Sequence, residues 1–171
     1  MIDIAQPDTT DLNLRPAVSE DEGFLLHLYL ATRTTDSQAW SLDAIQRDLL
    51  LQMQFRARKL TYESEYADAE DDIICIGTGP EAGTAVGRHL VARRRDEVLG
   101  VDLAILPKYQ GRGIGTRILL DIQRECAADR LPFRLQVLQT NPAVRLYTRL
   151  GFKIVSQDPV HLHMEWNSDQ F

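Results

Sequence analysis

The sequence predicts an α+β domain of the mixed α/β kind, and three observations support this fold class. Segments with two-residue alternation and segments with helical periodicity follow one another along the chain. An apolar run, Val101–Leu106, enters a glycine-rich bend, and an amphipathic segment from Ile114 to about Ala128 leaves it. The resulting strand–helix–strand crossover makes its two strands parallel neighbours in one sheet. We therefore expect a central mixed sheet with helices on both faces.

Length and composition indicate an ordinary globular protein. The 171 residues suggest one domain spanning residues 1–171, with polar residues 1–10 expected to be flexible. No apolar run approaches the roughly 18 residues of a membrane span, and the first residues do not resemble a signal peptide. Two cysteines do not make a disulfide framework. We expect a cytoplasmic protein that has no membrane partner.

The net charge of −6 is unevenly distributed. Residues 1–87 have a charge balance of −10, and residues 88–171 have a balance of +4. A basic half suits an anionic cofactor and an acidic half suits a cationic substrate, although uneven surface charge without a function fits equally well. The acidic total argues against nucleic acid as the main partner.

The first half of the chain is predicted to hold two strands and two helices. Ser19 with Glu22 forms a capping-box pattern, and Ser41 is typical of the N-cap of a second helix. Apolar residues mark one face of this second helix: Leu42, Ile45, Leu49, Met53 and Leu60. The predicted elements are a strand at 12–17, a helix at 19–32, a helix at 41–66, an acidic loop at 67–72 and a strand at 72–77.

The second half is predicted to contain two hairpins around two further helices. Three consecutive arginines, residues 93–95, are interpreted as a charged hairpin tip rather than a nucleic-acid site. Asn141 followed by Pro142 is a typical helix start, and Gly151 is a typical helix end. The predicted elements are strands at 84–93 and 97–106, a helix at 114–128, a strand at 133–138, a helix from 141, and strands at 152–155 and 160–166.

The bend at residues 110–116 is predicted to hold a phosphate group, and we expect a pyrophosphate. Its three glycines stand at alternate positions and leave backbone N–H groups uncovered, and the helix that follows adds the positive end of its dipole. Two common phosphate loops fit poorly. The dinucleotide fingerprint needs a glycine where Thr116 stands, and the triphosphate loop needs a lysine before Thr116. A purely structural glycine turn is the other interpretation.

Two motifs resemble one known family. Leu103–Thr116 resembles the acyl-CoA motif of the GNAT acetyltransferase superfamily, and Asn141–Phe152 resembles a second motif of that family at the expected distance. The resemblance covers roughly residues 71–166, whereas residues 1–70 match only in outline. It implies the GNAT fold, in which two central strands splay apart, and transfer of an acetyl group from acetyl-CoA to an amine. It also implies no metal, and a homodimer would be common among such relatives.

The resemblance also implies roles for individual residues. The diphosphate would meet the backbone of the bend, the pantetheine arm would lie along the preceding strand, and Asn141 would contact the cofactor or simply cap its helix. Tyr147 matches the tyrosine that protonates the departing thiolate in many relatives, although it could equally be a packed core residue. The implied acetyl-CoA contacts are Leu103, Ala104, Ile105, Gln110, Gly111, Arg112, Gly113, Ile114, Gly115, Thr116, Asn141 and Tyr147.

The sequence offers several candidates for the group that deprotonates the incoming amine. Some relatives carry a glutamate early in the strand before the bend. In this sequence Leu99 occupies that position, and Asp102 is the remaining carboxylate of the strand. Asp102 could be the base, a substrate anchor or a paired structural acid. A base acting through water would leave no sequence signature. Weaker candidates for the base are Glu63, His161 and His163.

The acceptor is predicted to be a cationic small-molecule or peptide amine. In the superfamily the first two helices form one wall of the acceptor site, and Tyr29, Trp40, Tyr62 and Glu63 could line it here. Polyamines, amino acids, aminoglycosides and protein N-termini or lysines all fit. Two rivals from other classes remain: a catalytically silent module that binds acyl-CoA, and a dinucleotide enzyme.

Overall fold

The computed structural model describes residues 11–33, 43–77 and 83–168. The order of helices and strands is the predicted one, and the α+β fold class is confirmed. Predictions at residues 1–10, at Trp40, Ser41 and Leu42 and over most of the 79–83 turn lie outside the described residues. The elements are β1 (Leu12–Pro16), α1 (Glu22–Arg33), α2 (Ala44–Glu65), β2 (Ala69–Ile76), β3 (Thr84–Arg93), β4 (Val98–Ile105), α3 (Ile114–Asp129), β5 (Phe133–Leu138), α4 (Ala143–Arg149), β6 (Lys153–Gln157) and β7 (His161–Trp166).

Within the described residues, seven strands form one mixed, mostly antiparallel sheet with the order β1-β2-β3-β4-β5-β7-β6. Strand β4 pairs with β5 in parallel, as the crossover through α3 requires. Strand β7 pairs antiparallel with both β5 and β6. The close contacts group the described residues into two compact units. One holds residues up to Ala67 with Asp71–His89 and Ala104–Arg112, and the other holds Asp68–Glu70, Leu90–Leu103 and the chain from Gly113 onward.

In the first unit, Asp21 rather than Ser19 organises the start of α1. A short 3-10 turn, Ser19–Asp21, precedes the helix. The buried Asp21 carboxylate accepts the Val18 backbone N–H at 2.9 Å and both terminal nitrogens of Arg15 at 2.6 and 2.7 Å. The Arg15 guanidinium therefore holds the pKa of Asp21 below its usual value. The predicted Ser19 cap was wrong because Asp21, which binds both Arg15 and the Val18 N–H, organises this turn.

The apolar face predicted for the second helix is exposed to solvent. Helix α2 begins after Asp43, whose side chain accepts the Gln46 N–H at 2.8 Å. Its one fully buried residue is Leu51. Strand β2 also begins earlier than predicted, so most of the acidic stretch at 67–72 is strand rather than loop. The predicted apolar residues of α2 that the structure describes are Ile45, Leu49, Met53 and Leu60, and all four are exposed.

In the second unit, the amphipathic character predicted for the segment after the bend is confirmed, because α3 buries one stripe of apolar residues. Gln123 is buried beside it and donates its side-chain N–H to the Leu150 carbonyl at 2.9 Å, which ties α3 to the end of α4. The charged tip between β3 and β4 is a set of ion pairs: Arg93 pairs with Glu125, and Arg94 pairs with Asp68. The buried stripe consists of Ile114, Ile118, Leu119, Ile122 and Cys126.

Candidate active site

The glycine-rich bend leaves a group of backbone donors without intrahelical partners. Gly111 and Gly113 adopt φ values of +72° and +83°, which favour glycine. Gly113 is the N-cap of α3, and the first intrahelical bond runs from the Arg117 N–H to the Gly113 carbonyl at 2.9 Å. The N–H groups of residues 113–116 precede that bond, and no side chain caps this helix end. This end of α3 is therefore suited to an anion.

Open space surrounds the same two glycines. A Cβ built on Gly111 or on Gly113 would meet no described atom within 4 Å, whereas one built on Gly87 would meet the Ala104 carbonyl oxygen at 2.4 Å. At Gly87 the need for glycine is explained by close strand packing. At Gly111 and Gly113 the backbone conformation requires glycine while the space beside it stays free. A ligand can approach the backbone here.

Gln110 shapes the bend through two hydrogen bonds. Its backbone N–H already donates to the Pro107 carbonyl at 3.2 Å, within the 3-10 turn Pro107–Tyr109. Its side-chain N–H donates to the carbonyl of Ile105, the last residue of β4, at 2.8 Å. Gln110 was predicted as a cofactor contact, and these two bonds give it the additional role of holding the bend against the end of the strand.

Two cations stand beside the bend on one aromatic ring. The Lys108 ammonium lies 4.9 Å and the Arg112 guanidinium 5.3 Å from the centre of the Tyr109 ring. Cation–π contacts of this kind hold flexible cations near the ring face. Arg112 was predicted from the sequence, whereas Lys108 and Tyr109 were missed. The only available signal was the short basic and aromatic spacing on either side of Gln110.

Strands β4 and β5 pair over only part of their length. The parallel pairing covers Val98–Gly100 against Phe133–Leu135, although β4 continues to Ile105 and β5 to Leu138. Gly100 stands at the last pair, and a Cβ on it would meet the Phe133 ring at 3.1 Å. The segment of β4 from Asp102 onward thus has no β5 partner in this register. This matches the divergence of strands expected from the family resemblance.

An aromatic cluster fixes the position of Tyr147. The Tyr147 ring packs on Phe152 with centroids 5.7 Å apart, and Phe152 packs on Phe133 at 5.1 Å. Phe152 and Phe133 are both buried. The Tyr147 carbonyl also accepts the Phe152 N–H at 3.0 Å. The ring of Tyr147 is therefore anchored through Phe133 to the start of strand β5, where Phe133 pairs with Val98.

The environment of Tyr147 keeps its phenol protonated. Burial, and to a smaller extent the negative charge of Asp102, raise the pKa of Tyr147 to about 12. Both effects disfavour the phenolate, so the O–H is present throughout the neutral range. Two residues predicted independently from the sequence thus interact electrostatically in the structure.

Asn141 has a structural role in the described residues. Its side-chain oxygen accepts the Ala143 N–H at 2.9 Å at the start of α4. Gly151 has a φ of +88° and stands just after the end of α4, as predicted. Asn141 therefore stands one residue before the N-cap Pro142, which corrects the predicted N-cap position by one residue, and its contact with a cofactor stays a prediction.

The weaker base candidates have other surroundings. His161 and His163 each approach the Asp158 carboxylate, at 3.5 and 3.6 Å, beside the turn between β6 and β7. Glu63 is exposed on α2. Among residues 11–33, 43–77 and 83–168, no group of three or more His, Cys, Asp or Glu side chains is arranged to hold a metal ion.

The aromatic residues predicted for the acceptor wall are stacked with arginines. The Arg58 guanidinium lies 6.0 Å from the Tyr29 ring centre and 5.1 Å from that of Tyr62. Arg88 lies 5.1 Å from the Tyr62 ring and makes a two-bond pair with Asp71 at 2.7 Å. These tyrosine rings therefore already carry cations of the same chain.

Comparison with known proteins establishes the family. The sequence profile of the acetyltransferase (GNAT) domain matches residues 66–154, more than half of the chain. The protein therefore belongs to the GNAT acetyltransferase family. No curated protein sequence matches the chain. No helix in the described part of the chain is long and apolar enough to cross a membrane.

Solved structures show the same fold at low sequence identity. A PaiA N-acetyltransferase from Thermoplasma acidophilum, in complex with coenzyme A, has a TM-score of 0.67 and 16% identity, covering 92% of this chain and 99% of its own. An acetyltransferase from Thermus thermophilus has a TM-score of 0.65 and 17% identity, with 93% and 98% coverage. A histone acetyltransferase HPA2 and related acetyltransferase from Corynebacterium glutamicum has a TM-score of 0.61 and 20% identity, with 91% and 96% coverage.

Proposed function

We propose that this protein is an N-acetyltransferase that moves an acetyl group from acetyl-CoA to a primary amine by direct attack. The observation that carries the proposal is the protonated Tyr147 phenol, held on the Phe152–Phe133 cluster and interacting with Asp102. A silent acyl-CoA-binding module would need the anion site of the bend but not a half-buried phenol held in this way.

The residues of the bend fit the diphosphate of coenzyme A. The N–H groups of Gly113–Thr116 would donate to its oxygens, and the space beside Gly111 and Gly113 admits them. Lys108 and Arg112 would add positive charge. The backbone of Leu103–Ile105, in the part of β4 that β5 leaves unpaired, would bind the amides of the pantetheine arm. A backbone N–H in this segment would also stabilise the oxyanion that forms at the thioester carbonyl.

The reaction would require two proton transfers, one from the incoming amine and one to the departing thiolate. The amine nitrogen attacks the carbonyl carbon, a C–N bond forms, and the C–S bond breaks with its electron pair on sulfur. Tyr147 donates its proton to that thiolate. The resulting Tyr147 phenolate is a stronger base than the thiolate, so the phenolate takes up a proton from solvent. Asp102 accepts the proton that the ammonium must lose before it attacks. No covalent enzyme intermediate is needed.

A panel of amines tests this function. The protein is mixed with acetyl-CoA and, in turn, a polyamine, several amino acids, an aminoglycoside and a lysine-containing peptide, and released thiol is measured. Thiol release that depends on one class of amine, with a matching acetylated product by mass spectrometry, supports the proposal. Tight coenzyme A binding without turnover on any amine would favour the silent module. Binding of NAD in place of coenzyme A would favour the dinucleotide enzyme.

Asp102→Asn should lower kcat/KM about a hundredfold near neutral pH, within the range that a general base contributes. The loss should shrink as the pH rises, because the free amine fraction grows about tenfold per pH unit below the amine pKa of about 10. A pH series of kcat/KM for both forms checks this. A loss that stays constant from neutral pH to about pH 10 would assign Asp102 to positioning or folding instead.

A further inference from the structure

Helix α2 carries an exposed apolar surface that the proposed reaction does not use. Ile45, Leu49, Met53 and Leu60 are 82%, 59%, 60% and 66% exposed. They recur at intervals of about one turn, and the exposed Ala57 fills the gap between Met53 and Leu60. These five residues share one face of the helix, and we call them the α2 stripe.

The α2 stripe is as large as the larger apolar patches found on monomers, which are often functional. Single exposed apolar residues are normal, but its four large side chains together expose on the order of 500 Å², which is near the upper end for the largest patch on a monomer. Patches of this size mark interaction sites. Burying the apolar side chains of the stripe against a partner would therefore lower the free energy.

The spacing of the stripe fits a second copy of the same helix. Leu49, Met53 and Ala57 are separated by four residues each, which is the ridge that interdigitates when two helices pack. A two-fold axis near Met53 would place that residue against its own copy and Leu49 against the partner's Ala57. The contact would be self-complementary, as a symmetric dimer requires.

The charges beside the stripe favour the antiparallel arrangement. Asp48 lies toward the N-terminal end of the stripe, whereas Arg56 and Lys59 lie toward its C-terminal end. Antiparallel packing brings Asp48 of one copy near Lys59 of the other, and the symmetry makes this contact twice. The intrachain partner of Lys59 is Glu22 at 3.3 Å, and both side chains are about half exposed, so this pair is weak and can rearrange.

We propose that the α2 stripe is the interface through which two copies of this chain associate by antiparallel packing of α2 on α2. The contact area is smaller than the roughly 800 Å² per partner of a standard interface, so the dimer should form at micromolar rather than nanomolar concentrations. This inference is independent of the proposed acetyl transfer.

Sedimentation velocity across a concentration series tests the proposal. The unaltered chain should shift from monomer to dimer as its concentration rises from about 1 to 100 µM. Met53→Arg should keep the protein monomeric over the whole range, because it places two like charges at the two-fold axis. Ile154→Arg is the matched control: Ile154 is 53% exposed on β6, and the variant should still dimerise.

Disulfide trapping gives a second readout that does not depend on a loss of association. Met53→Cys should form a covalent dimer on mild oxidation, whereas Ile154→Cys should not, and the native Cys75 and Cys126 are buried. A monomer at every concentration would overturn the proposal. A dimer that persists in Met53→Arg would also overturn the proposal. A loss of stability in the Met53→Arg monomer would overturn it as well, because it would show that other residues of the same chain cover the stripe.

Discussion

Gly113→Asp is expected to raise the dissociation constant for coenzyme A at least about a hundredfold. A carboxylate at the N-cap of α3 would face the diphosphate at close range, where like unit charges near a protein surface repel by about 4 kcal/mol. The loss of coenzyme A affinity should be large because Gly113 is the N-cap of α3, next to the backbone N–H groups that would bind the diphosphate. Isothermal titration calorimetry with coenzyme A measures it directly.

Gly113→Asn provides the matched control. Asparagine has almost the shape of aspartate, and both residues tolerate the left-handed conformation that Gly113 adopts at a φ of +83°. Both side chains would enter the same open space. The two variants should therefore have similar melting temperatures, while the asparagine variant binds coenzyme A much more tightly than the aspartate variant. Equal affinities would show that the diphosphate does not lie at this helix end.

Tyr147→Phe is expected to lower kcat by roughly ten- to a thousandfold, in or near the range of general-acid catalysis. Coenzyme A affinity should stay unchanged. Phenylalanine keeps the ring that packs on Phe152, so the aromatic cluster should survive and the melting temperature should change little. Steady-state kinetics with the best amine from the panel, together with calorimetry, separate these effects.

The pH profile adds a test of the same residue. Since the pKa of Tyr147 is raised to about 12, its acid form should persist over the whole alkaline range of an ordinary assay. The unaltered enzyme should then show no fall in kcat from loss of this proton up to about pH 10, the usual tyrosine value. Tyr66→Phe, which alters a tyrosine just after α2, should leave both rate and profile unchanged. An unaltered rate in Tyr147→Phe would remove the phenol from the mechanism.

Sequence reasoning succeeded where the signals were local. The glycines of the bend and the Gly151 end of α4 depend on the backbone conformation of a few adjacent residues, and the structure has these features where they were predicted. The start of α4 was predicted to within one residue. The buried face of α3 could be predicted because its apolar residues follow one clear helical period. The parallel β4–β5 pairing followed from the handedness and length of the crossover.

The features that sequence reasoning missed depend on which side chains meet in the folded chain, and local sequence patterns do not reveal this. The Arg15–Asp21 pair reorganises the start of α1 although both residues look like ordinary surface charges in the sequence. Helical periodicity in α2 correctly showed that apolar residues share a face, but periodicity does not reveal what covers that face. The support of Tyr147 by Phe133 and Phe152 likewise requires knowing which strand and helix ends meet.

A crystal structure of the protein with coenzyme A would test the central claim most directly. We predict diphosphate oxygens within about 3 Å of the N–H groups of Gly113–Thr116, the pantetheine arm along Leu103–Ile105 and the sulfur beside the Tyr147 hydroxyl. A diphosphate bound at any other part of the chain, or no bound coenzyme A at saturating concentration, would contradict the claim.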